Sequence, residues 1–354
     1  MNQGVTLHIF NPSHDEALAA HSPYYYPSKI ARHLANEWGA LPMLWALEND
    51  LILLPDKAVK PNEANLNTIH FIRPSDLNAQ LWNSIYSIQP WGWDALLVHQ
   101  LRKMGAPESL LPTGAQLDTI RQLSSRNSTT LLLPLLRAAL LREGIPTIGQ
   151  SVIATTLDEV MSFTALHQRV MVKSLWSCSG RGVFQVGLSP TASVLGRIKR
   201  LLREQGGVEV EPLYNEFKNF ALEFDALPNG QVSYVGLSLF TTSSTGGYTG
   251  NRVAPQSVLE ADLSIHFPYL SQLTTITEQV LTDYLQGRYV GPLGIDMLLV
   301  NTSEDIRLHP CIELNLRRTM GYVAWSVSQH MKRPLPAFAR TLFRVDKDLI
   351  IVTK

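Results

Sequence analysis

Two apolar runs near the C-terminal end do most to limit what this chain can fold into. They are Leu293-Gly294-Ile295-Asp296-Met297-Leu298-Leu299-Val300 and Leu308-His309-Pro310-Cys311-Ile312-Glu313-Leu314-Asn315-Leu316-Arg317-Arg318, with the turn chemistry of Asn301 to Asp305 between them. The pair reads as an antiparallel β-hairpin. Glu313 and Asn315 stand two apart, so they share one face of their strand, and a neighbouring strand can present Asp296 beside them. Three hard oxygen donors on a rigid sheet suit Mg²⁺, which keeps some waters and fills its other positions with phosphate oxygens. Arg317 continues the same parity and sets a cation next to the anions. An ordinary hairpin with solvated polar residues gives the same pattern, so the rest of the chain has to decide.

The chain has 354 residues, enough for two or three domains. Its 30 Lys and Arg equal its 30 Asp and Glu, so no charge excess points to nucleic acid or to a membrane surface. Cys178 and Cys311 lie far apart in sequence, giving no disulfide framework and no zinc pattern, which fits a reducing cytoplasm. Val5 to Phe10 is too short for a signal core, and the most apolar stretch, Leu131 to Leu141, contains Pro134 and Arg137, so a soluble cytoplasmic protein is expected.

Val5 to Phe10 reads as a first strand, Pro27 to Trp38 as a helix and Leu51 to Leu54 as a second strand, an order that favours a parallel α/β layer. The turn Asn11 to Glu16 occupies the place where open α/β sheets bind ligands. For His14-Asp15-Glu16 a capping role is favoured over an acid/base cluster, and for Tyr24-Tyr25-Tyr26 packing is favoured over stacking on a ligand. Helices are expected over about 95–104, 117–123 and 131–142. The polar stretch Ser124 to Thr130 suggests a domain boundary, dividing the chain into 1–127 and 128–354. A helix at Asp158 to His167 precedes the strand Arg169 to Lys173 and the small-residue stretch Ser177-Cys178-Ser179-Gly180-Arg181-Gly182. Small residues let backbone N–H groups approach an anion and Lys173 adds a point charge for phosphate, although an ordinary turn with an exposed lysine fits equally well. Val208 to Tyr214 is a strand running into a connector, and Phe220 to Leu227 with Gln231 to Phe240 forms a hairpin around Pro228-Asn229-Gly230. The glycine- and hydroxyl-rich stretch Thr241 to Arg252 reads as a loop able to close over a substrate, or as plain surface disorder. Leu273 to Leu285 is an amphipathic helix.

Taken together, Val172-Lys173, Ser177 to Gly182, the connector Glu209 to Leu213, Asp296 and Glu313-Leu314-Asn315 resemble the ATP-grasp superfamily over roughly the last two thirds of the chain. The order of these pieces is more specific than any one of them. The resemblance implies two α+β subdomains gripping ATP, about 128–206 and 207–354, preceded by an α/β, Rossmann-like N-terminal domain. It implies that Lys173 contacts the α/β phosphates, that Ser179, Gly180, Arg181 and Gly182 form the phosphate-covering loop, and that Glu211 with Leu213 faces adenine. Glu209 fits the hinge register nearly as well as Glu211. Asp296, Glu313 and Asn315 would hold one or two Mg²⁺, with Mn²⁺ as a substitute, and Arg317 would act on the transferred phosphate or the substrate. Asp296 stands where the family often has Glu.

The activity so implied is an ATP- and Mg²⁺-dependent ligase joining a carboxylate to an amine through an acylphosphate, its partners being small molecules rather than nucleic acid or membrane. A kinase phosphorylating a small molecule and a non-catalytic nucleotide-binding protein are the alternatives. Thr245 to Arg252, the Asn11 to Glu16 turn and Arg126 are candidates for reading the acid and the amine, whose identities the sequence does not give. Homo-oligomerisation is left open.

Overall fold

The structure, a computed structural model, describes residues 4–61, 69–177, 182–243, 247–329, 343–346 and 349–352. The chain forms two compact units, Met1–Arg121 with Ser326–Lys354, and Gln122–Trp325.

In the first unit, strands β1 (Val5–Ile9), β2 (Leu51–Leu53), β3 (His70–Ile72) and β4 (Ile85–Pro90) form a parallel sheet in the order β3-β2-β1-β4. The helices are α1 (His14–Ala20), α2 (Lys29–Trp38), α3 (Ala79–Ser84), α4 (Ala95–Lys103) and α5 (Gly114–Leu123), which ends just past the unit's boundary. Side-chain caps start three of them: Ser28, Asn78 and Asp94 accept from the N–H groups of Ala31, Leu81 and Leu97. Leu7, Ile9, Ile88, Val98 and Leu101 pack between sheet and helices. This is the α/β layer expected from the strand, helix, strand order.

The second unit starts with α6 (Asn127–Arg142), β5 (Val152–Ala154), α7 (Leu157–His167), β6 (Arg169–Ser174), β7 (Val183–Gly187), α8 (Ala192–Gln205) and β8 (Val208–Pro212). The strands make an antiparallel sheet in the order β5-β8-β6-β7. Val170, Val172, Val208 and Val210 point from it into a core shared with Val160 and Ile198. Strand alternation then sends Met171, Lys173, Glu209 and Glu211 to the other face.

β9 (Glu216–Ala226), β10 (Val232–Thr242), β11 (Tyr248–Arg252), α9 (Gln256–Ser264), α10 (Leu270–Leu285), β12 (Gly291–Asn301) and β13 (Ile306–Asn315) follow, and the strands pair antiparallel in the order β13-β12-β9-β10-β11. Phe220, Leu222, Phe224, Leu293 and Ile295 are fully buried on one face, and α6 and α10 pack on this sheet. The opposite face carries Asn219, Ala221, Glu223, Ser238 and Asp296 into a cavity. Several details differ from the sequence reading. His14 to Glu16, read as the end of a turn, already belong to α1. β12 carries a bulge between Asp296 and Leu298, so consecutive residues Asp296 and Met297 line the same cavity instead of alternating. Residues 248–252, expected to be loop, form β11, because pairing with β10 outweighs their poor strand propensity. The last described elements are α11 (Met320–Gln329), β14 (Phe343–Asp346) and β15 (Leu349–Val352), the last two an antiparallel pair. No helix of the described residues is long and apolar enough to cross a membrane.

Candidate nucleotide and metal site

The cavity of the second unit lies between the inner face of the small sheet and the polar face of the large one. Lys173, Glu211, Asp296, Glu313, Asn315 and Arg317 all line it, as does Arg126. Leu213 does not; its N–H donates to Arg169 O at 3.0 Å. Gly182 is also absent from the lining, its carbonyl accepting from the Ser174 N–H. Ser179, Gly180 and Arg181 lie outside the described residues.

Lys173 on β6 pairs with Glu209 on β8, with Glu211 one pleat further along the same face. Its Nζ sits 2.8 Å from Glu211 Oε1 and 3.7 Å from Glu209 Oε2, and donates to Ile312 O at 3.3 Å. Burial alone would lower the lysine, but the two carboxylates outweigh it and hold its pKa above the ordinary value. Burial, with the like charge of Glu209, pushes the Glu211 carboxyl up to about 7 against the pull of Lys173. His309 packs edge-on against Tyr214 and is driven down to about 3, chiefly by burial, so it is neutral beside Glu211.

Arg126 ties the two sheets together. It stands at the start of α6, where its guanidinium donates to Ser174 O at 2.6 Å, to Ser177 Oγ at 2.8 Å and to Glu313 Oε1 at 2.6 Å, and its Nε lies 3.6 Å from Glu209 Oε2. The sequence offered Arg126 only as a reader of substrate; no local pattern shows that β6, β8 and β13 converge on it.

Asp296 and Glu313 face each other across the β12–β13 pairing, next to the Gly294–Asn315 pair. Asn315 Nδ2 lies 3.5 Å from Asp296 Oδ2. β13 ends at Asn315, so Arg317 does not extend the strand, yet the bend after it still brings Arg317 to the cavity. Burial first, then the charge of Glu313, raises Asp296 to about 7, although Arg317, Asn315 and Lys173 act the other way. Two opposed carboxylates and an amide oxygen fit a hard divalent cation, whose charge would relieve that repulsion. Among the described residues no group of three or more His, Cys, Asp or Glu is placed to hold a metal; the set here is two carboxylates and the Asn315 amide.

Glu223 on β9, Ser238 on β10, Tyr248 and Asn251 on β11 and Thr319 also line it. Tyr248 and Asn251 fall in the stretch Thr245 to Arg252 that the sequence offered as a reader of substrate; Glu223, Ser238 and Thr319 did not stand out, since polar residues inside apolar strands carry no motif.

In the first unit, His14 Nδ1 lies 3.3 Å from Asp94 Oδ2, and Asn11 Nδ2 donates to the same carboxylate at 3.0 Å. Glu16 accepts from Ser28 N–H at 3.0 Å and Ser28 Oγ at 2.7 Å. The first two contacts fasten the start of α1 to the N-cap of α4, and the Glu16 contacts fasten α1 to the N-cap of α2.

No protein-family model matches the sequence, and no curated protein sequence matches it either. Solved structures do. N5-carboxyaminoimidazole synthetase from Staphylococcus aureus, complexed with ADP, matches with a TM-score of 0.50 and 14% identity over 90% of this chain and 72% of that one. Biotin carboxylase from Campylobacter jejuni, in complex with β-γ-ATP, matches with a TM-score of 0.51 and 12% identity over 99% and 74%. The biotin carboxylase domain of Hydrogenobacter thermophilus 2-oxoglutarate carboxylase, with MgADP, ADP and bicarbonate, matches with a TM-score of 0.50 and 11% identity over 99% and 73%. At these identities the likeness is one of fold.

Proposed function

The chain has the ATP-grasp fold, and from that premise we propose that it is an ATP- and Mg²⁺-dependent ligase joining a small-molecule carboxylate to an amine. The observation that carries the reading is the convergence of Lys173, Arg126, Asp296, Glu313, Asn315 and Arg317 on one cavity. The similar structures solved with adenine nucleotides support it.

Lys173 contacts the α and β phosphates as a point charge, held in place by Glu209 and Glu211. Glu211, which lines the cavity where Leu213 does not, belongs to the adenine side. Asp296, Glu313 and Asn315 hold Mg²⁺, or Mn²⁺ in its place, which when bound offsets charge developing on the phosphoryl oxygens. Arg126 fixes the Glu313 carboxylate through its bond to Oε1 and leaves Oε2 for a ligand. Arg317 steadies the transferred phosphoryl group. A carboxylate oxygen of the substrate attacks the γ-phosphorus as ADP leaves; the amine nitrogen then bonds to the acyl carbon as the carbon–oxygen bond breaks and phosphate departs. The chain's main tasks are positioning and exclusion of water.

The test is ADP release by the full chain with MgATP and mixed pools of carboxylic acids and amines, with hydroxylamine added to trap acylphosphate. Acid-dependent ADP release with hydroxamate formation is expected. A phosphorylated hydroxyl product with no hydroxamate would point to a kinase, and no ADP release from any pool to a binding protein.

A further inference from the structure

The two ends of this cavity differ in chemistry. One end carries the two cations Lys173 and Arg126, set among Glu209, Glu211 and Glu313 and available to phosphate. At the other end the large sheet presents Glu223, Ser238, Asn251 and Tyr248.

Glu223 is 1% exposed. Its Oε1 accepts from Thr319 Oγ at 2.7 Å, while its Oε2 has no hydrogen-bond partner. A buried carboxylate oxygen without a donor is costly, so natural sites of this kind are completed by something. Gly321 makes the arrangement fit: a Cβ there would stand 2.0 Å from Glu223 Oε1 and 2.8 Å from Ser238 Oγ, so only glycine lets carboxyl and hydroxyl share the gap. The neighbours are already committed. Tyr248 donates to Asn251 Oδ1, and Asn251 Nδ2 donates to Ser238 Oγ. Among the described residues the cation lining this end is Arg317, against the carboxylates of Glu223 and Asp296.

We infer that this end is the subsite for the amine, Glu223 Oε2 accepting an N–H from a primary amine or its ammonium form. The inference rests on the ligase reading. An acidic, hydroxyl-lined pocket favours a cation over an anion, which separates the amine from the carboxylate substrate and sets it opposite the phosphate end. Burial, followed by the charge of Asp296, pushes the Glu223 carboxyl to about 8 despite Thr319 and Arg317, as expected where an opposite charge is missing.

The test is the thermal unfolding midpoint of the full chain in saturating MgADP, titrated with methylammonium and with each of the twenty protein amino acids. Methanol, lactate and glycolate serve as hydroxyl counterparts of methylammonium, alanine and glycine. At least one amino compound should raise the midpoint of the parent, while its hydroxyl counterpart does not. Glu223→Gln, which keeps an oxygen for Thr319, should keep the MgADP response and need about tenfold or more amine, as befits loss of a hydrogen bond to a charged group. A parent that answers MgADP but no amino compound overturns the inference, as does a Glu223→Gln protein that answers like the parent, or a hydroxyl counterpart that works equally well. A parent that does not answer MgADP overturns the nucleotide reading and this inference with it.

Discussion

Arg126 is the residue on which the geometry of the site depends most. It is buried, as is Glu209, and its guanidinium serves Glu313 and two partners near the end of β6 at once. Removing one member of a buried ionic network leaves the others uncompensated, so Arg126→Ala should cost about 3–5 kcal/mol in urea unfolding; a loss below about 0.5 kcal/mol would show the network to be ornamental. Glu223 gives a prediction in pH. Its pKa is raised from 4.5 to about 8 in the folded chain, so the folded state holds the proton longer than the unfolded one. The resulting stability is complete below 4.5 and is lost as pH rises through 8. The unfolding midpoint of the ligand-free parent should therefore fall from pH 5 to pH 9, and Glu223→Gln should flatten part of that fall; an equal slope in both proteins would contradict the assignment. The sequence made Asp296, Glu313 and Asn315 legible because a strand's period of two puts such residues on one face. It kept Glu223 hidden, since the meaning of that residue depends on Gly321, far along the chain, leaving room for its carboxyl.

At the scale of elements, α6 carries an internal proline, Pro134, on an exposed stretch. Proline there removes one helical hydrogen bond while its ring stands exposed, so Pro134→Ala should stabilise the chain by about 1–3 kcal/mol, less a few tenths for the freer unfolded chain. A drop in the unfolding midpoint would show that the proline shapes the helix for a purpose. Gly321→Ala should destabilise by about 1–3 kcal/mol, since its Cβ must displace Glu223 or Ser238 inside a packed wall; unchanged stability would mean the wall yields easily. Most strands and helices could be read from periodicity, because their apolar residues recur at two or near three and a half. Strands β3 and β4 and helices α1, α3, α9 and α11 were not among those read, and the bulge at Asp296–Leu298 and strand β11 could not be. Both arise from pairing with a distant partner, which local propensity does not encode.

For the whole molecule, the parallel α/β unit and the two antiparallel sheets of the second unit give the ATP-grasp fold, and the second unit by itself carries every described residue assigned to nucleotide and metal. The formal net charge is zero, so attraction for ATP has to come from the local cluster and not from a general field. The most direct measurement is ATP binding by calorimetry to the full chain, with and without Mg²⁺, for the parent, Lys173→Ala and Glu313→Ala. Binding that needs Mg²⁺ and weakens about tenfold or more in each variant is the predicted result, each substitution removing a charge-assisted contact. Binding that is absent in the parent, or that ignores Mg²⁺ and both substitutions, would contradict a nucleotide site in this cavity.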